Sequence, residues 1–263
     1  MVNIVAISLL AIFRDRVFQG ILVVSSVFLL VPTISSLSLR QVTELSITLS
    51  LSLLSIILLL LSISLGATSV WKDIERRYTY SVLSLPLQRS TYIIGKFVAV
   101  ALFLLLTTVV LGSVACLVIW LSSAIYPSER GIVWTNLIAC MLFDTLKYIM
   151  LVSYAFLFST VSTSFFLPIF GTISVFLVGN ATQQAYDYVH SPAARDLPML
   201  VKQSATVLYY LLPNFAAFDL KINAIYGLPL VGKGLLLSLV YFCIYTVLLI
   251  SLATVIYARR EMK

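Results

Sequence analysis

The sequence predicts an all-α integral membrane protein with six transmembrane helices, and three observations predict it. Of the 263 residues, 61% are hydrophobic and 10% charged, with a mean hydropathy of +1.08. A soluble domain carries about 25% charged residues, so this chain cannot cover a water-facing surface and lipid must be its main solvent. Six apolar runs approach or exceed the roughly 20 helical residues that cross a hydrocarbon core. The basic residues fall between those runs and more of them lie on one side of the expected membrane than on the other, as in multi-pass proteins. The whole chain, 1–263, reads as a single transmembrane domain.

The chain opens on the apolar stretch Ile4–Phe13, which is too short to cross and lacks the basic start and small-residue cleavage site of a signal peptide. Residues 1–16 are expected to form an interfacial helix that turns into the membrane at Arg14-Asp15-Arg16. The first span is 17–39, fenced by Arg14 and Arg16 on one side and Arg40 on the other. The second, 45–70, opens after Glu44 and closes at Trp71-Lys72-Asp73. The third is 92–121, the fourth 134–158, the fifth 165–180 and the sixth 231–257. Three polar regions lie between them: 72–91, 122–133 and 181–230. The last contains two apolar stretches too short to cross, 201–212 and 215–226, with breakers at Pro192, Pro198, Pro213, Gly227 and Pro229. Re-entrant or surface-lying helices are expected there.

With the N-terminus inside, the inner face holds Arg14, Arg16, Lys72, Arg76, Arg77, Arg89, Lys96, Arg259, Arg260 and Lys263. The outer face holds Arg40, Arg130, Arg195, Lys202, Lys221 and Lys233, mostly in one long loop of weak topological force. Both termini are therefore expected on the cytoplasmic side, which an even number of spans requires.

Several chemistries are excluded. The net charge is +7, but the basic residues are scattered and no aromatic-rich basic stripe appears, so a nucleic-acid partner is not expected. Cys116, Cys140 and Cys243 stand alone in apolar segments and suggest neither a disulfide framework nor a zinc site. Cys116, Cys140, Met141 and Met150 form no repeated soft-ligand ladder of the kind copper(I) requires. There is no Gly-rich phosphate loop with GK[ST], no HExxH and no GxSxG. The chain is not expected to be an enzyme by itself, nor to hold a metal or cofactor. His190, beside Tyr186, Asp187 and Tyr188, reads as a surface histidine.

Two intramembrane features stand out. Asp144 and Lys147 lie at i, i+3 on the fourth span, close enough to pair on one helix face. Charges within a span are functional candidates because each costs about 2.5–3.5 kcal/mol at the bilayer centre on insertion scales. The plainer reading is a mutual ion pair, partly wet near the outer third, that settles the helix. Thr48, Ser52, Ser55 and Ser62 share one face of the second span by the 3.6-residue period. That hydroxyl stripe could line a mildly polar path, glue helices together, or bond carbonyls of its own helix.

The densest charge cluster sits in the segment 72–91. Its front half reads as a short helix bearing Asp73, Glu75, Arg76 and Arg77 with Ile74, Val82 and Leu83 as apolar residues, ended by Pro86. Arg89 and Lys96 lead back to the membrane. The segment could be a solvated positive-inside loop, or a surface for docking another protein.

The pattern Ile74-Glu75-x-Arg77, then Val82-Leu83-Ser84-x-Pro86-x-x-Arg89-x-x-Tyr92-x-x-Gly95-Lys96-Phe97, resembles the coupling segment of type-two ATP-binding-cassette exporter permeases. It is most similar to the branch associated with multicopper-enzyme maturation. The stretch Tyr210-Leu211-Leu212-Pro213-Asn214-Phe215-x-x-Phe218-x-Leu220-Lys221, the N-terminal run ending Phe13-Arg14-Asp15-Arg16 and the turn Phe158-Ser159-Thr160 resemble that branch as well. Many of its members carry Thr after the Glu-x-Arg element, where this chain carries Tyr78.

The resemblance implies a permease subunit in a bacterial cytoplasmic membrane. It would pair with a second permease, identical or similar, and each would rest a cytoplasmic coupling helix on a separate ATPase subunit that binds ATP and Mg2+. Asp73, Glu75, Arg76 and Arg77 would contact the ATPase, and Leu83, Ser84, Pro86 and Arg89 would shape the return to the third span. The second and fifth spans would line the path, with Thr48, Ser52, Ser55 and Ser62 along it. The substrate is not legible. An alternative is an ATPase-coupled membrane scaffold or assembly factor that transports nothing. A secondary transporter would call for ionisable residues near the midplane and inverted repeats, and this chain has one Asp/Lys pair and no visible repeat.

Overall fold

The structure, a computed structural model, describes residues 2–14, 20, 23, 25–36, 41–75, 89–126, 131–162, 164–192 and 198–259. All regular elements among them are helical. In chain order they are α1 (Val2–Phe13), a 3-10 turn (Ser26–Leu30), α2 (Val31–Ser36), α3 (Val42–Glu75), α4 (Arg89–Ile125), α5 (Trp134–Val161), α6 (Phe166–His190), α7 (Met199–Leu211), a second 3-10 turn (Phe215–Phe218), α8 (Lys221–Tyr226) and α9 (Gly232–Arg259). Five of these, α3, α4, α5, α6 and α9, are long and apolar enough to cross a membrane. The architecture is that of an all-α multi-pass membrane protein. The expected first span, 17–39, lies in part outside the described residues, and its described remainder is the first 3-10 turn and α2.

The long helices form because hydrocarbon offers no partner to a backbone amide, so each peptide group must bond within its own helix. Proline, which would remove one such bond, is absent from α3, α4, α5 and α9. In α6, Pro168 stands in the first turn, where its missing N–H costs nothing.

Neighbouring spans alternate in direction. Thr43 Oγ1 donates to Tyr126 O at 2.8 Å and Ser46 meets Ser122 at 3.1 Å, joining the start of α3 to the end of α4. At the opposite end Lys96 Nζ donates to Ser69 O at 2.6 Å, and the rings of Tyr92 and Tyr257 stack at 6.2 Å. We call the end with Thr43 and Tyr126 distal and the end with Ser69 and Tyr257 proximal.

Helix α5 is the axle of the bundle and packs against α3, α4, α6 and α9. Its most apolar window is 67% buried, against 22% for α6 and 17% for α9, which therefore stand at the periphery with one side each on the bundle. α3 and α5 approach each other closely at Gly66, where an added Cβ would lie 2.7 Å from the Ala155 Cβ of α5. One residue on, Ser159 Oγ donates to Ala67 O at 3.1 Å, so a small-residue seam lets two backbones close on each other.

Two elements depart from the sequence reading. The fifth span does not stop at residue 180: α6 continues to His190 because nothing breaks it before Pro192. Asn180 turns its amide onto Phe176 O at 2.8 Å and Gln183 bonds Asp187 at 2.8 Å, so the polar residues serve the helix instead of ending it. The N-terminal helix, expected to lie flat at the interface, runs alongside α4. Ile4 meets Gly95, and nine residues later Phe13 meets Phe103, eight residues further along α4, with ring centroids 5.3 Å apart.

Replacing Gly66 by Val should overpack the seam and destabilise the protein by about 1–3 kcal/mol. Thermal unfolding in detergent would measure the loss, and adding Ala155→Gly should restore part of it. A Gly66→Val variant as stable as the parent would show that α3 and α5 do not meet this closely.

Candidate functional site

The polar side chains converge at three levels of the bundle. At the proximal end, Lys96 reaches across from α4 to the Ser69 carbonyl of α3 and sits 5.2 Å over the ring of Tyr92. This ties together the two helix ends that flank residues 76–88.

In the body of the bundle, Lys147 Nζ lies 2.6 Å from Asp144 Oδ1, and both side chains are only 6% exposed. The pairing inferred from the i, i+3 spacing is present and is drier than the sequence suggests. Lys147 also stands 4.7 Å over the ring of Tyr148, whose hydroxyl meets Ser55 Oγ at 2.7 Å. On the other side Thr145 meets Thr108 of α4 at 2.7 Å and donates to Met141 O. The level therefore holds a buried ion pair wrapped in hydroxyls from α3, α4 and α5.

At the distal end, the segment between α7 and α8 folds back into the bundle. Phe215 and Phe218 are fully buried, and Asn214 is the hub of the turn. Its side-chain oxygen accepts from Ala216 N, its amide donates to Gln183 Oε1 at 2.7 Å and Tyr209 Oη at 3.3 Å, and its N–H donates to Tyr241 Oη at 3.0 Å. Asn136 of α5 secures the following loop by donating to Asn223 O and Leu228 O. Gly227 makes that loop possible with φ +64, a conformation side chains disfavour.

Two of the three readings of the hydroxyl stripe are seen in its bonds. Thr48 and Ser62 donate to carbonyls of their own helix, Glu44 O and Leu59 O, at 2.8 Å each. Ser55 instead joins α3 to α5 through Tyr148. Ser52 is half-buried. Asp73 and Glu75 belong to the last turns of α3 and Arg89 opens α4, whereas Arg76, Arg77, Leu83, Ser84 and Pro86 lie outside the described residues. His190 is exposed, with its ring tilted against that of Tyr186 at 4.2 Å between centroids. Among the described residues no group of His, Cys, Asp and Glu could hold a metal ion.

Sequence reasoning missed the Lys96–Ser69 tie, the Ser55–Tyr148 bond and the Asn214 hub. Only the last left a signal, an Asn directly after Pro213 in an otherwise apolar run. Compared with known proteins, the chain matches no family model and no curated sequence.

Removing one partner of the buried pair should leave an uncompensated charge in a dry bundle. Asp144→Leu or Lys147→Met alone should cost about 3–5 kcal/mol, while the Asp144→Leu/Lys147→Met double variant should fall close to the parent. Unfolding of the four proteins in micelles forms a double-mutant cycle. Additive losses would mean that the two charges do not depend on each other.

Proposed function

We propose that this chain is the membrane-spanning permease subunit of an ATP-driven exporter. It pairs with a second permease copy or paralogue and is powered by a separate ATPase that binds ATP and Mg2+. The observation that carries the reading is the charged segment 72–91, with its Ile-Glu-x-Arg and Val-Leu-Ser-x-Pro-x-x-Arg pattern, held between two very long apolar helices. Support comes from the helices themselves. α3 runs on to Glu75 and α4 begins at Arg89, so both ends of the segment rest on rigid rods, and Lys96 clamps those rods together. A push on the segment is then passed to α3 and α4 as a pair, and from α3 to α5 through the Gly66–Ala155 seam.

In this reading six helices cross a bacterial cytoplasmic membrane, 17–39 being the first, and both termini are cytoplasmic. The proximal end faces the cytoplasm and the distal turn faces out. Single cysteines at positions 195 and 76, in a chain lacking Cys116, Cys140 and Cys243, test the topology. Arg195→Cys should react with an impermeant thiol reagent on intact cells, and Arg76→Cys only after permeabilisation. The reverse pattern overturns it.

The coupling assignment is tested by replacing Glu75 and Arg77 together with Ala. Charge-assisted contacts are worth about 1.5–3 kcal/mol each when shielded. The double variant should insert and dimerise normally, yet co-purify with the ATPase less well or fail to stimulate its turnover. Wild-type co-purification and turnover, with crosslinks from the segment that miss the ATPase, would leave the segment as a positive-inside anchor.

A further inference from the structure

We infer that the turn Pro213–Asp219 is a movable closure of the distal end of the bundle, a wedge that seats in a notch on α6 and can withdraw as one piece. The inference rests on the exporter reading for its purpose, because an outward path needs something that shuts it.

The notch exists because residue 179 is glycine. A Cβ there would lie 2.4 Å from Phe215 Cδ2 and 2.9 Å from Pro213 O, so ring and turn backbone occupy the space a side chain would take. A helix interior gains nothing from glycine; at this position its use is to admit the ring. Phe215 then rests on Phe176, with ring centroids 6.4 Å apart, and Phe218 lies 6.2 Å from Tyr241.

The turn bridges the two peripheral helices. On the α6 side Thr182 Oγ1 donates to Pro213 O at 3.4 Å, and Gln183 accepts from Asn214. On the α9 side Tyr241 accepts from the Asn214 N–H, and Ser238 donates to Ala217 O at 2.9 Å. These attachments are hydrogen bonds near the end of the bundle, and half of them pass through one residue. The two rings favour the seated position, and nothing covalent or ionic among the described contacts of residues 213–218 fixes it. Withdrawal would bare the Gly179 notch and part α6 from α9 above Tyr241. The wedge thus combines a strong default with a weak catch, which suits a part that must open and return.

The test uses the full-length chain in detergent micelles, with Cys116, Cys140 and Cys243 replaced. Thr182→Cys, only 6% exposed beneath the turn, reports access to the notch through its labelling rate with a polar maleimide. Ala217→Cys with Ser238→Cys, joined by a disulfide, ties the turn to α9. The untethered chain should label slowly but measurably, since a buried site reacts through its local opening. Closing the tether should cut the rate at least about tenfold, and reduction should restore it. Equal rates with and without the tether, or no labelling in either, would make the turn a fixed part of the wall and overturn the inference. Should Thr182→Cys misfold, hydrogen exchange at the Asn214 and Ala216 amides, compared between tethered and untethered chains, reads the same opening without a reporter. Neither measurement needs an ATPase, so the closure can fail while the exporter reading stands, and the reverse. Faster labelling on adding ATP to the complex with its ATPase is expected only if both hold.

Discussion

A peptide group in hydrocarbon has nothing to bond to but its own chain, and the rest of this structure depends on that constraint. It turns the long apolar runs into unbroken helices and confines Pro168 to a first turn. It also governs the side chains. Thr107, Ser113 and Ser153 donate to a carbonyl one turn back on their own helix, and Thr108, Thr145 and Ser159 each have such a carbonyl in reach as well as a partner on a neighbouring helix. The hydroxyls that reach a neighbouring helix, such as Ser55, Thr108 and Ser159, are accordingly the ones that set which helices meet.

Polarity and close packing divide the length of the bundle between them. Toward the proximal end, Gly66 and Ala155 bring α3 and α5 together by smallness. In the body, the Ser55–Tyr148 bond joins the same helices beside the ion pair that α5 makes within itself. At the distal end a separate piece of chain, the Asn214 turn, fills the space between helices that stand further out. The stiffness of the two inner levels is what would let a movement at one end of the permease reach the other undiminished, in the exporter reading.

Much of this was legible in the sequence because hydrophobic runs and helix length are local properties. The spans expected at 45–70, 92–121, 134–158 and 231–257 appear as α3, α4, α5 and α9, with α3 and α4 running further at both ends and α5 and α9 at the C-terminal end, through residues that include the polar ones a hydropathy reading discards. The same habit cut the fifth span at residue 180. Spacing alone paired Asp144 with Lys147. It also placed the hydroxyls of α3 on one face, but could not tell that Ser55 finds Tyr148 while Thr48 and Ser62 turn inward on their own helix. The Gly179 notch was illegible because its meaning lies in Phe215, far along the chain and beyond two helix ends. The coupling pattern remains a matter of sequence, since Arg76, Arg77, Leu83, Ser84 and Pro86 fall outside the described residues.

The uneven character of the helices has a consequence for biosynthesis. α3 and α4 are strongly apolar and emerge first, able to leave a translocon for lipid unaided. α5 and α6 are the least apolar of the five, and α5 brings two charges with it. α5 therefore enters best against neighbours already in place, with α3 offering Ser55 and α4 offering Thr108 to its polar face. α6 in turn leans on α5. The distal turn is made before α9, yet Tyr241 and Ser238, which hold it, arrive only with that last helix. A nascent chain thus holds its turn by α6 alone until α9 is made, and α9 supplies the other half of its attachments.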